Sequence, residues 1–157
     1  MNTIILYDSM HGCAEKCAEQ LKGKLKGNAD IFHIKKDKIP DLSAYDAVVI
    51  GGSIHAGRVQ GSIKKFTAQN SALLQSKTLG LYICCMDEKK AEEQFAAAFP
   101  EDLRNHAKAK GLFGGAFDFT RMNFLHKAII KQIAGITESV EKINTEAVDK
   151  FAEELAA

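Results

Sequence analysis

The sequence predicts an α/β fold in which a five-stranded parallel sheet lies between two layers of helices. Short apolar segments alternate with helix-forming segments along the whole chain, a pattern typical of parallel sheets with right-handed crossovers. The third apolar segment, residues 46–50, is apolar after Asp46, as expected for a strand that is buried on both faces. At 157 residues the chain has the length of one domain, so residues 1–157 are predicted to form a single domain.

Each strand is predicted from a short apolar run that ends at glycine or polar residues. Such runs lie at residues 2–7, 29–34, 46–50, 78–84 and 111–117. Helix-forming segments predict helices at residues 14–26, 62–74, 88–98 and 146–156, with a further turn or helix after Pro100. Residues 118–144 are long for a connection, and we expect an extra helix between Asn123 and Ile136, before the last helix.

The bulk composition excludes several functional classes. The formal net charge is +1, so no overall field would hold the protein on nucleic acid, and no nucleic-acid partner is predicted. Residues 1–8 lack the apolar stretch of a signal peptide, and no run of about 18 uncharged apolar residues follows, which favours a cytoplasmic protein. The spacing of Cys13, Cys17, Cys84 and Cys85 is not that of a zinc site, so reduced thiols and no metal site are predicted.

The loop at residues 8–14, after the first strand, is the first candidate ligand site. It joins a strand to a helix N-terminus, where backbone N–H groups and the helix dipole favour an anion such as phosphate. A dinucleotide-binding loop would have glycines in G-x-G-x-x-G spacing, whereas this loop contains Gly12 alone. The Gly-Lys-Ser/Thr ending of a Walker loop is also absent.

Two further classes of protein are disfavoured because each needs one particular residue that this sequence lacks. A response-regulator receiver domain needs an aspartate at the end of its third strand, where this sequence has Gly51 and Gly52. A low-molecular-weight tyrosine phosphatase needs an arginine six residues after Cys13, where Glu19 stands. Without that arginine the thiol would lack its phosphate clamp.

Two loops resemble those of the flavodoxin-like FMN-binding family. The segment YDSMHGCA, residues 7–14, resembles the flavodoxin phosphate loop, and IGGSIHAGR, residues 50–58, resembles the second flavin loop. Within this family the chain is most similar to the flavodoxin-type protoporphyrinogen dehydrogenases, which oxidise a precursor in haem biosynthesis with FMN and pass the electrons to menaquinone. The resemblance covers nearly the whole chain and implies a flavodoxin-like sheet with strand order 2-1-3-4-5 and FMN as the cofactor.

The resemblance also implies which residues bind FMN. The first loop would hold the phosphate, the second would line the flavin ring and ribityl chain, and the third would meet the pyrimidine edge of the ring. These residues are Ser9, Met10, His11, Gly12, Cys13 and Ala14 in the first loop, Gly52, Ser53, Ile54, His55, Ala56, Gly57 and Arg58 in the second, and Cys84, Cys85, Met86 and Asp87 in the third. No catalytic residue is identified.

The first loop departs from the flavodoxin pattern. Flavodoxins usually carry threonine or serine hydroxyls at several positions here, whereas Met10, Cys13 and Ala14 replace some of them and Ser9 is the one clear hydroxyl. Each lost charge-assisted hydrogen bond would forfeit ~1.5 to 3 kcal/mol, so we expect weak FMN binding. His55 and Arg58 lie near the expected ring edge, where a cation would stabilise the reduced flavin or bind a substrate carboxylate, or would be solvated without a role.

Three functions stay open on the sequence. One is an oxidoreductase that oxidises a tetrapyrrole with a quinone acceptor; another is an electron carrier with a protein redox partner, which the near-neutral charge disfavours; the third is a binding module that has lost FMN. The segment between Asn123 and Ile136 is basic and amphipathic, a pattern that suits packing on the core, covering the flavin, docking a partner or contacting an anionic membrane surface. Membrane contact would place the protein at the inner face of the cell membrane.

Overall fold

The computed structural model describes residues 1–117 and 140–157 of the chain. Five parallel strands form its central sheet in the order β2-β1-β3-β4-β5, which confirms the predicted order. The register places Leu6, Ile50 and Leu81 side by side on three adjacent strands. The strands are β1 (Asn2–Tyr7), β2 (Asn28–His33), β3 (Ala47–Ser53), β4 (Thr78–Cys84) and β5 (Ala109–Leu112).

Helices cover both faces of the sheet. They are α1 (Cys13–Lys24), α2 (Gly61–Gln69), α3 (Ser71–Gln75), α4 (Ala91–Ala98), α5 (Glu101–His106) and α6 (Thr145–Ala156). The predicted helix at residues 62–74 is two helices because Asn70 interrupts it. The Asn70 side chain donates a hydrogen bond to the Phe66 carbonyl at 2.9 Å, which competes with continuation of the helix.

Two cores lie on opposite faces of the sheet, because successive side chains of a strand point to opposite sides. On one face, Ile4 and Leu6 of β1 pack with Val48 and Ile50 of β3 against α2 to α5. On the other face, residues of β1, β3 and β4 such as Ile5, Val49 and Tyr82 pack against α1 and α6. Burial of β1, β3 and β4 on both sides explains their nearly continuous apolar sequences.

The predicted strand at residues 111–117 is wrong in one respect, because the structure divides it in two. Strand β5 ends at Leu112, and β6 (Gly114–Phe117) leaves the central sheet to pair antiparallel with β7 (Val140–Ile143). Gly114 makes this change of direction with φ of 77°, a conformation that disfavours any side chain. The sequence did not predict β7.

The segment between Asn123 and Ile136, where an extra helix was predicted, lies outside the described residues. Strands β6 and β7 bracket the larger segment that contains it. Among the helices of the described residues, none is long and apolar enough to cross a membrane.

Candidate functional site

A cavity of about 350 Å³ lies where the loops after β1, β3 and β4 meet, at the carboxyl end of the sheet. Open parallel sheets bind ligands at this end, and the volume is that of a small-molecule site. Its lining combines all three predicted loops with two residues from elsewhere. The lining residues are Met10, His11, Cys13, Ser53, Ile54, His55, Ala56, Gly57, Cys84, Cys85, Met86, Asp87, Gln94 and Gly115.

The first loop ends at the N-terminus of α1. Gly12, the residue before the helix, has φ of 83°, so the chain turns sharply into Cys13. The Ser9 hydroxyl accepts the backbone N–H of Ala14 at 3.3 Å and thereby caps the first turn. The loop therefore presents the positive end of a twelve-residue helix beside one hydroxyl, an arrangement that suits an anion.

Asp8 anchors the start of this loop to two other elements. One carboxylate oxygen accepts the backbone N–H of Ser9 at 2.8 Å and lies 3.2 Å from Nε2 of His33, the last residue of β2. The second oxygen accepts a hydrogen bond from the hydroxyl of Ser62 in α2. Because Asp8 and His33 are both buried, this network holds the first loop against β2 and α2.

The second loop is a tight two-residue turn. His55 and Arg58 exchange backbone hydrogen bonds of 2.8 and 3.1 Å, and the residues between them, Ala56 and Gly57, have φ of 50° and 78°. Two positive φ angles are typical of a type I′ hairpin turn. At the base of this loop, Ser53 donates its N–H to the Gln60 side chain at 3.0 Å.

The third loop contacts both the second loop and the β6–β7 ribbon. The N–H of Ile54 donates to the Cys84 carbonyl at 2.8 Å, and the N–H of Cys85 donates to the Gly114 carbonyl at 2.7 Å. A Cβ atom at Gly115 would lie 2.4 Å from the sulfur of Met86, so a larger residue there would displace the Met86 side chain. The ribbon that brackets residues 118–139 thus abuts the wall of the cavity.

The first and second loops also meet. The rings of His11 and His55 lie 5.7 Å apart, with an angle of 73° between their planes. Of the predicted cofactor residues, five do not line the cavity: Ser9, Gly12, Ala14, Gly52 and Arg58. Ser9 and Gly12 instead line a neighbouring cavity of about 530 Å³ that also includes Tyr7 and His33, and Met10 lines both cavities.

Sequence reasoning missed Gln60, Gln94 and Gly115. The Gln60 side chain accepts a hydrogen bond from the N–H of Ser53 and donates one to the Ser53 hydroxyl. Gln94 accepts a hydrogen bond from the Cys85 thiol. Gln60 closes the second loop just before α2, and Gln94 lies within α4. The adjacent glycines Gly114 and Gly115 could have indicated a break in the strand, but both were interpreted as part of one strand.

Tyr82 and Cys84 of β4 are buried titratable residues on the face of the sheet that packs against α1 and α6. Burial raises the pKa of the Tyr82 hydroxyl well above its ordinary value of 10.0. Burial, followed by hydrogen bonds with Cys13 and Cys17, raises the pKa of the Cys84 thiol well above 9.0. Both groups are therefore neutral in the folded protein at physiological pH.

These shifts predict that the folded state loses stability at alkaline pH. A raised pKa in the folded state favours the protonated form, so its contribution is full below the unfolded-state value and falls as pH rises through the folded-state value. We expect the free energy of unfolding in urea to fall above pH 9 for Cys84 and above pH 10 for Tyr82. Tyr82→Phe should reduce the loss above pH 10, and an unchanged pH dependence in this variant would contradict the assignment.

Comparison with known proteins agrees with this geometry. The sequence profile of the Flavodoxin domain matches residues 4–144. Protoporphyrinogen IX dehydrogenase [quinone] of Escherichia coli (strain K12) is 26% identical, covering 99% of this chain and 95% of that protein. The protein of the same name from Leishmania major is 24% identical, covering 98% of this chain and 74% of its own. A solved flavodoxin from the domain Archaea superposes over 100% of both chains with a TM-score of 0.60 at 14% identity.

The sheet order and the cavity at the carboxyl ends of its strands define a flavodoxin-like α/β protein. Because the profile spans most of the sequence, the chain belongs to the Flavodoxin domain family. It is thus a member of a family of flavodoxin-like FMN-binding oxidoreductases, and the family supports FMN as its cofactor.

Proposed function

We propose that this chain is an FMN-dependent oxidoreductase that oxidises protoporphyrinogen IX and passes the electrons to a quinone. The observation that carries the proposal is the convergence of three predicted flavin loops on one cavity at the switch point of the sheet. Two relatives named protoporphyrinogen IX dehydrogenase [quinone], aligned along 98 to 99% of the chain, support the choice of substrate and acceptor.

The residues present fit FMN. The N-terminus of α1, with the Ser9 hydroxyl and the amides of His11, Gly12 and Cys13, would hold the phosphate. The positive φ of Gly12 turns the chain into α1 at the phosphate position, and that of Gly57 forms the tight turn of the second loop, whose backbone would approach the ring. Apolar side chains and backbone of the second and third loops would line the ring. When bound, FMN supplies the electron-transfer chemistry, and the chain binds it, orients it and excludes water.

A tetrapyrrole with carboxylate groups needs a cation at the mouth of this site. Arg58 is exposed and directly follows Gly57, which lines the cavity. His55 is partly buried and lines the cavity itself. We assign Arg58 to a substrate carboxylate and His55 to the edge of the flavin.

The test begins with purified apo-protein titrated with FMN, following the quenching of flavin fluorescence, with riboflavin as the control that lacks phosphate. The loaded protein is then mixed anaerobically with protoporphyrinogen IX and a menaquinone analogue, and the appearance of porphyrin fluorescence is recorded. Binding of FMN with substrate oxidation supports the proposal. Binding without oxidation favours an electron carrier with a protein redox partner, and no binding at micromolar FMN contradicts both functions.

Ser9→Ala should weaken FMN binding without changing the binding of riboflavin. Loss of one hydrogen bond to a charged phosphate costs about 1.5 to 3 kcal/mol, so we expect the dissociation constant to rise roughly 10- to 150-fold. Ser9→Thr keeps the hydroxyl and should retain most of the affinity. An equal loss for FMN and riboflavin would show instead that the substitution only disturbs the start of α1.

A quinone acceptor places the reaction close to a membrane, and we propose the segment between Asn123 and Ile136 as the contact. Within this segment, apolar residues are interleaved with the basic residues His126, Lys127 and Lys131, and Arg121 lies just before it. The protein should therefore co-sediment with vesicles that contain anionic lipid, and high salt should release it. Equal binding to neutral vesicles would contradict an electrostatic contact.

A further inference from the structure

Three cysteine side chains from two elements converge at the floor of the cavity. Cys13 and Cys17 lie four residues apart on α1 and so share one face of the helix, and Cys84 ends β4. Their sulfur atoms all lie within 4.8 Å of one another, and the sulfurs of Cys17 and Cys84 are 3.3 Å apart. All three are buried. Among the described residues, no other group of histidine, cysteine and acidic side chains comes together in this way.

We propose that Cys13, Cys17 and Cys84 form a binding site for one soft d¹⁰ metal ion, coordinated through three thiolate sulfurs. Thiolates bind such ions at about 2.3 Å, so three sulfurs around one ion would be separated by about 4 Å. The sulfurs of Cys17 and Cys84 are closer than this at 3.3 Å, and no pair among the three sulfurs is more than 4.8 Å apart.

The donor set favours a monovalent ion of the Cu⁺ class over Zn²⁺. Soft thiolate ligands select Cu⁺ or Zn²⁺ among the metals that proteins bind, and structural Zn²⁺ takes four ligands. The described residues offer three sulfurs and no fourth ligand within this group. Zn²⁺ would therefore need a water from the cavity, which Cys13 and Cys84 both line.

A disulfide explains the cluster less well. A bond between Cys17 and Cys84 would leave the sulfur of Cys13 without a role, although it lies within the same group. A bound cation would use all three sulfurs, because coordination deprotonates each thiol outright. The positive end of α1, whose first residue is Cys13, also favours thiolate over thiol.

The experiment uses the full-length reduced chain with and without FMN, and ¹¹³Cd²⁺ alone as the probe. Equilibrium dialysis gives the stoichiometry, ultraviolet absorption reports sulfur-to-cadmium charge transfer, and the ¹¹³Cd chemical shift reports the number of sulfur ligands. We expect one ion per chain with the shift of three sulfurs, and displacement of the ion by Cu⁺ at a lower concentration than by Zn²⁺. The chain without FMN should bind Cd²⁺ readily, because the ion would reach the three sulfurs through the empty cavity.

Matched variants locate the site. Cys17→Ala should raise the Cd²⁺ dissociation constant by more than the 10- to 100-fold that loss of an outer partner typically costs. Cys85→Ala should leave it unchanged, since Cys85 is buried nearby but its sulfur bonds Gln94 instead. Circular dichroism checks that both variants fold.

Three results would overturn the proposal. They are the absence of Cd²⁺ binding, a chemical shift with fewer than three sulfurs, and equal affinity in Cys17→Ala and the original chain. If Cys17→Ala does not fold, the stoichiometry and shift of the unsubstituted chain decide the question. Each of these readouts is independent of whether the protein oxidises a tetrapyrrole.

Discussion

Replacing Gly51 by alanine is expected to lower the free energy of unfolding by roughly 3 kcal/mol, the upper end of the usual cost of overfilling a core. A Cβ atom at Gly51 would lie 1.9 Å from Cζ of Tyr82, far inside van der Waals contact. The Tyr82 ring is held in place, because it is fully buried and stacks on Phe113 at 4.7 Å. Its hydroxyl also donates to the Ala14 carbonyl in the first turn of α1 at 2.8 Å.

Urea unfolding measures this loss, with Gly23→Ala as the control. Gly23 lies exposed in α1, and a Cβ atom there would meet nothing within 4 Å. Gly23→Ala should therefore raise the free energy of unfolding by about 0.5 to 1 kcal/mol. Tyr82→Leu, introduced beside Gly51→Ala, should restore part of the lost stability because it removes the ring. Stability of Gly51→Ala equal to that of the unsubstituted chain would refute the contact.

The order of strands and helices was predictable mainly because β1, β3 and β4 are predominantly apolar. Predicted β1 and β4 match the observed Asn2–Tyr7 and Thr78–Cys84. The prediction failed where tertiary contacts override local pattern. Buried Phe113 anchors the end of β5, and its carbonyl accepts the N–H of Asn144 at 2.8 Å, which starts the separate β6–β7 ribbon. A local sequence pattern does not predict this hydrogen bond, because its two residues are more than thirty positions apart.

The candidate site was predictable where residues follow strands directly. His11 and His55 were assigned to different loops, and their rings meet because the carboxyl ends of β1 and β3 are neighbours in the sheet. Gln60 and Gln94 could not be predicted, since Gln60 reaches Ser53 only once the turn between His55 and Arg58 folds the loop back, and Gln94 reaches Cys85 from within α4. The cysteine cluster was missed for the same reason, because linear spacing does not show that Cys17 faces Cys84.

Asp8 is the residue whose loss should most disturb the first loop. Its carboxylate is buried and accepts hydrogen bonds from the N–H of Ser9 and the hydroxyl of Ser62. Nδ1 of His33 accepts the N–H groups of Lys35 and Lys36 at 3.1 and 3.3 Å. Nε2 is therefore the ring nitrogen that donates to Asp8, at 3.2 Å.

Asp8→Ala should consequently lower the free energy of unfolding by about 3 kcal/mol, because it leaves three donors without an acceptor, of which His33 is buried and Ser9 and Ser62 are partly buried. Asp8→Asn keeps one acceptor oxygen but turns an N–H₂ group toward one of these donors. We therefore expect a loss in the free energy of unfolding between zero and that of Asp8→Ala. Asp102→Ala is the control, since Asp102 also accepts side-chain hydrogen bonds, from Ser71 and Gln75, but is exposed. It should cost less than about 1 kcal/mol. Equal losses in Asp8→Ala and Asp102→Ala would mean that burial of the network contributes nothing, and that β2 and α2 do not hold the first loop.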